Sequence, residues 1–140
     1  MITEYRYILI VFFSISFFSF IKAQQNESPK KMEYAKNSLK LFSISLESDI
    51  PGIVESTIYN VILAKKYYPE GNYSSILNRL NEIVEKYSDP LISYKAHLAT
   101  IYLTFSNLIE IWPISRTFER EYIFRQIAEQ LNKRLLGSRN

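Results

Sequence analysis

Between residues 30 and 137, apolar side chains recur at steps of three and four, the spacing that lines one face of an α-helix. The first such stripe is Met32, Ala35, Leu39, Phe42 and Leu46, and it predicts a helix that stops near Glu47. A second stripe, Val54, Ile58, Val61 and Ala64, follows Ser48-Asp49 and Pro51 and ends before Pro69 and Gly71. Proline suits a first helical turn, whereas Pro69 cannot continue a helix. The third stripe, Ile76, Leu77, Leu80, Ile83, Val84 and Tyr87, predicts a helix over 73–87, with capping side chains at Asn72, Ser74 and Ser75. The fourth runs Leu91, Tyr94, Leu98, Ile101, Phe105, Leu108 and Trp112, from Ser88-Asp89-Pro90 to Pro113. The fifth, over 116–136, carries Phe118, Phe124, Ile127, Ala128, Leu131 and Leu135, with Gly137 as its stop. No segment alternates with period two for long enough to be a strand. The expected fold class is therefore all-α, about five helices with short connections.

Upstream of residue 30 the pattern changes. An apolar run, Tyr7–Ile21, is followed by Lys22-Ala23-Gln24-Gln25-Asn26. A short apolar core with a small residue and an abrupt polar shift after it is the pattern of a secretory signal peptide. Cleavage is expected after Ala23, leaving residues 24–29 as a flexible lead-in, 30–137 as the helical domain and 138–140 as a frayed tail. The alternative is an uncleaved anchor, but as a helix the run rises only about 22 Å against a hydrocarbon core of about 30 Å. The Ala-Gln-Gln junction is similar to bacterial export signals, so the expected destination is the periplasm or outside. No later run is long enough to span a membrane.

Composition narrows the chemistry. The chain has no cysteine, which excludes disulfides, thiolate metal sites and cysteine nucleophiles. Three scattered glycines, at 52, 71 and 137, cannot form a phosphate-cradling loop. The formal net charge of +3 falls to +2 once Arg6, Lys22 and Glu4 leave with the leader, a mixed-sign balance that argues against a nucleic-acid partner. His97 is the single histidine and has no patterned serine, aspartate or metal-ligand companion. Glu82 with Glu85, and Glu119 with Glu121, fit a solvated helix surface. Asn26-Glu27-Ser28 and Asn72-Tyr73-Ser74 are glycosylation sequons that matter only in a eukaryotic secretory route. No catalytic residue, metal site or cofactor is expected.

The two Ser-Asp junctions, at 48–49 and 88–89, lie 40 residues apart and the helices after them keep that offset. Ile58 pairs with Leu98, Val61 with Ile101, Ile62 with Tyr102, Leu63 with Leu103, and Ser56 with Ala96. The helices before them align as Leu39/Leu80, Phe42/Ile83 and Leu46/Tyr87. A two-helix period of this length, with Asp89, Pro90, Lys95, Ala96 and Ala99 opening the fourth helix, resembles the HEAT family of α-solenoids. In the first copy Asp49 and Pro51 follow the pattern loosely, and Glu55 stands where the family carries a basic residue.

The resemblance implies a right-handed stack of antiparallel helix hairpins, a HEAT/ARM-like superhelix of two pairs with the fifth helix as its cap. It also implies that the second helix of each pair lines a concave, partner-binding side. The residues so placed are Glu55, Tyr59, Ile62, Lys66, Lys95 and Tyr102. The expected function is an exported, non-catalytic scaffold or adaptor that binds another protein. The alternative is a small periplasmic domain that holds an apolar ligand between its helices.

Overall fold

The computed structural model describes residues 29–112 and 120–137. The leader, its cleavage point, most of the lead-in, Phe118 and the tail fall outside the described residues. The chain divides into two compact units, residues 1–34 and 35–140. Among the described residues there are five helices and no strand: α1 (Pro29–Ser45), α2 (Pro51–Tyr67), α3 (Ser74–Lys86), α4 (Pro90–Thr104) and α5 (Glu121–Gly137). The all-α expectation holds. The core described below belongs to the second unit.

Local chemistry sets the helix starts. Pro90 is the first residue of α4, and the Asp89 carboxylate accepts the Leu91 N–H at 2.8 Å. In α2 the proline lies two residues after the aspartate, not one. Ile50 therefore takes the capping position without a side-chain cap, and Ser48 Oγ accepts the Ile50 N–H at 3.2 Å. At the start of α3, Asn72 Oδ1 accepts the Ser74 N–H at 3.1 Å. Ser93 Oγ of α4 donates to the carbonyls of Ile83 (3.2 Å) and Tyr87 (3.3 Å), which ties the start of α4 to the end of α3.

The helix α4 is the hub, packing against α3, α2 and α5. Its buried side is Ile92, Lys95, Ala96, Leu98, Ala99, Tyr102 and Leu103. Ala96 and Ala99 have almost no side-chain bulk, so neighbouring elements approach the α4 backbone closely. From the other elements the core receives Leu39 of α1 and Leu46 just past its end, Val54, Ile58, Val61 and Ile62 of α2, Ile76, Leu80 and Ile83 of α3, and Ile123, Phe124 and Ile127 of α5. Two pairs at the 40-residue offset, Ile58/Leu98 and Ile62/Tyr102, are buried in both copies.

The fourth helix differs from expectation in length and in facing. It ends at Thr104, not near Trp112. Thr100 and Thr104 donate their hydroxyls to the carbonyls four residues back, at 3.0 and 2.8 Å, which loosens a helix end. Ser106 and Asn107 then favour a turn, closed by Leu108 N–H to Phe105 C=O at 2.9 Å. Of the stripe expected inside, only Leu98 is buried and Ile101 is half-buried. Leu91, Tyr94, Phe105, Leu108 and Trp112 are exposed. The helix is apolar nearly all round, so periodicity alone does not select its inner face.

Gly71 closes the turn between α2 and α3. A Cβ there would lie 2.7 Å from the Tyr68 ring and 2.9 Å from Leu39 Cδ1. Tyr68 is further fixed by its carbonyl, which accepts the Tyr73 hydroxyl at 2.8 Å. Gly71→Ala should therefore destabilise by about 1–3 kcal/mol through overpacking, while Gly52→Ala, whose Cβ meets nothing within 4 Å, should not lower stability. Paired thermal melts check both.

Candidate functional site

The centre of the molecule holds a lysine. Lys95 follows from the α4 register, three residues after Ile92 and one turn before Ala99, and its side chain is only 2% exposed. A buried ammonium is costly unless it is paired. Here its Nζ donates to Glu55 of α2 and to Glu121, in the first turn of α5. The Phe124 ring adds a cation–π face at 5.3 Å. Burial alone would lower the Lys95 pKa, but the hydrogen bonds and charges of Glu121 and Glu55 outweigh it, and the net direction is up. Glu121 is also favoured where it stands, because a carboxylate in a first helical turn meets the positive end of the helix dipole.

Beside this triad, Arg120 donates to Ser56 Oγ at 3.2 Å and lies over the Tyr59 ring at 5.7 Å. The start of α5 is thus fastened to the middle of α2 at Glu55, Ser56 and Tyr59.

The second feature is the segment after α4. Ile109 and Ile111 are buried, while Glu110 and Trp112 are exposed. This alternation is that of an extended chain lying flat on a core. Its backbone is held from α5. Gln130 Oε1 accepts the Glu110 N–H at 3.0 Å, and Gln130 Nε2 donates to the Glu110 carbonyl at 2.5 Å. Gln126 Oε1 accepts the Trp112 N–H at 2.9 Å, and Arg134 donates to the Leu108 carbonyl. Residues four apart on a helix are about 6 Å apart along the axis. Residues two apart on an extended chain are separated by about 6.6 Å. The periods agree, so positions 126, 130 and 134 meet 112, 110 and 108 in antiparallel order. From the other side, Lys66 of α2 donates to the Ile111 carbonyl at 2.7 Å.

This arrangement accounts for every residue of the expected concave stripe. Glu55 and Lys95 form the ion pair across the 40-residue offset. Tyr59 lies under Arg120. Ile62 and Tyr102 are buried in the core, and Lys66 holds the extended strap. Ile62, Lys95 and Tyr102 are buried, whereas Glu55, Tyr59 and Lys66 remain partly exposed. His97 is elsewhere, on the exposed side of α4. No group of three or more potential metal ligands occurs among the described residues.

Sequence reasoning missed Gln126, Gln130 and Arg134 as strap ligands, and Ile109 and Ile111 as its inward side chains. The signals were present: polar side chains at i, i+4 and i+8 on the fifth helix, and a short apolar alternation after Asn107. The longer stripe through Leu108 and Trp112 masked the second of these.

Between the strap and the C-terminal turn of α2 lies an open pocket of about 930 Å³. Its walls include Lys65, Lys66, Glu70 and Tyr102, the strap backbone, and Arg134. Burial pushes the Tyr102 phenol pKa up, and burial with the neighbouring phenols Tyr68 and Tyr102 does the same to Tyr73.

Two outcomes are expected of the triad. Glu55→Gln and Glu121→Gln should each cost at most about 1 kcal/mol, because both carboxylates are partly solvated and either can neutralise Lys95. The double variant strands a buried ammonium and should cost about 3 kcal/mol, more than the sum; a double-mutant cycle by chemical denaturation reads the difference. The raised pKa of Lys95 also fixes a pH dependence. Its contribution is fully present below the ordinary lysine value of 10.5 and is lost as pH climbs through the higher folded-state value. The buried phenols act in the same sense. Stability should therefore fall on the alkaline side, less steeply in Lys95→Met, as followed by circular dichroism.

No family model, curated protein or solved structure matches this chain.

Proposed function

We propose that this chain is an exported, non-catalytic helical adaptor that binds another protein, with two HEAT-like helix pairs capped by α5. The observation that carries the reading is the exposed apolar margin of α4. Its core-facing side is filled, while Leu91 and Tyr94 near its start and Phe105 just past its end stand about half in water. Exposed apolar surface of this kind is characteristic of protein interfaces. The burial shared by Ile58/Leu98 and Ile62/Tyr102, and the Glu55–Lys95 pair across the same offset, support the repeat. The pocket beside the strap carries five charged side chains in its walls, Lys65, Lys66, Glu70, Glu110 and Arg134, a poor lining for an apolar ligand. The leader pattern supports a partner met beyond the cytoplasmic membrane.

The accessible apolar residues near the start of α4 are where binding should be lost. Leu91→Asp with Tyr94→Asp should abolish retention of a protein partner from the native envelope fraction. The melting temperature should stay unchanged, since both side chains are half-exposed. Lys133→Gln, on the exposed side of α5, serves as the control. Retention of every partner by the double aspartate variant would refute this reading.

A further inference from the structure

Three cations stand in the walls of the pocket between the strap and the end of α2: Lys65, Lys66 and Arg134. Each holds a backbone carbonyl. Lys65 Nζ donates to Pro69 and Lys66 Nζ to Ile111, both at 2.7 Å, and Arg134 donates to Leu108. Among the described residues none of the three makes an ion pair, although Glu70 and Glu110 share the same walls. A neutral carbonyl leaves the charge uncompensated. An ammonium has three donors and a guanidinium five, so each cation keeps capacity to spare.

Tyr102 of α4 adds a further donor. It is only 3% exposed, yet it borders this pocket. Its hydroxyl has no hydrogen-bond partner among the described residues. Nor is that oxygen sealed from solvent, since the buried side-chain polar atom left without a partner is Gln126 Nε2. The hydroxyl therefore opens on the pocket. Its neighbour Tyr73, whose own titration it influences, has its ring 4.9 Å from Lys65 Nζ, so the phenol lies toward the Lys65 end.

The walls also say which anion fits. Three cations against two carboxylates leave one positive charge, which a carboxylate balances and a phosphate dianion exceeds. Glu70 and Glu110 accept hydrogen bonds from hydroxyls, and the side chains of Ser106 and Asn107 both give and accept them. The volume of about 930 Å³ is at the upper end of ordinary ligand sites, far more than a bare ion fills.

We propose that this pocket binds a hydroxylated carboxylate of the sugar-acid class, with its carboxylate held by Lys65, Lys66 and the Tyr102 hydroxyl and its own hydroxyls turned to Glu70 and Glu110. Arg134 adds to the positive field from the strap side. The site goes beyond the adaptor reading, since it takes a small molecule and lies toward the opposite end of α4 from Leu91 and Tyr94.

Calorimetric titration of the full chain tests it, with D-glucuronate as the probe and D-glucose and inorganic phosphate as comparisons. Glucuronate should bind saturably. Glucose, which lacks the carboxylate, should bind at least about tenfold more weakly, and phosphate should also bind more weakly. Tyr102→Phe removes a hydroxyl that has no partner to lose, so the melting temperature should hold while glucuronate affinity falls about three- to tenfold. Lys65→Gln should weaken binding several-fold, and Lys133→Gln, outside the pocket, should leave it unchanged. Four results would overturn the proposal: no saturable binding of glucuronate, equal binding of glucose, tighter binding of phosphate, or full glucuronate affinity in Tyr102→Phe. Loss of partner retention in the α4 variants, together with absent glucuronate binding, would sink this site and leave the adaptor reading standing.

Discussion

A single ammonium group constrains most of this molecule. Lys95 is carried to the centre by the same helical register that buries Ile92, Ala99 and Tyr102, and there it must find negative charge. Glu55 supplies it from α2 and Glu121 from the start of α5. Because both carboxylates converge on one atom, sliding α5 along α2 would take one of the two from the ammonium. Buried ion pairs add little net stability compared with apolar packing, but breaking one is costly, which favours one arrangement over its neighbours. The Arg120 contacts to Ser56 and Tyr59 lie one residue from Glu121 and reinforce the same placement.

Once α5 is placed, the strap follows. Gln126, Gln130 and Arg134 then stand in a row at the helical period of four, and an extended chain offers backbone groups at nearly the same interval. The chain after α4 is fixed there by its own peptide groups, with Ile109 and Ile111 turned into the core. Side-chain amides thus do for this segment what a neighbouring strand would do in a sheet.

That cover changes which surfaces stay open. In a plain two-pair stack, the faces of α2 and α4 carrying Glu55, Tyr59, Ile62, Lys66, Lys95 and Tyr102 would be open. Here Ile62, Lys95 and Tyr102 are buried and the other three partly covered, while Leu91, Tyr94 and Phe105 stay exposed. The pocket at the end of α2 remains as a smaller, charged opening between the strap and the helix that it does not fully meet.

Much of this was legible in the residues alone. Apolar spacing located α1, α2 and α3 to within a residue or two, because each has one apolar stripe and a proline or a polar cap at its boundary. The offset of 40 residues also paired positions 55 and 95, though it did not anticipate that a glutamate facing a lysine would join them. Local pattern failed at α4, where apolar residues surround the helix and any of several faces could be the inner one. It failed again at 105–112, where a helical stripe and a short extended alternation share the same side chains. Those choices depend on what lies opposite: the Glu121 carboxylate, the Gln126–Gln130–Arg134 row and Lys66 come from parts of the chain far away in sequence. The sequence by itself determined the helices and most of their inner faces, since these depend on neighbours three and four residues apart. Tertiary structure alone decided which face of α4 is covered and that Glu55 and Glu121 meet at Lys95, since both depend on contacts across tens of residues.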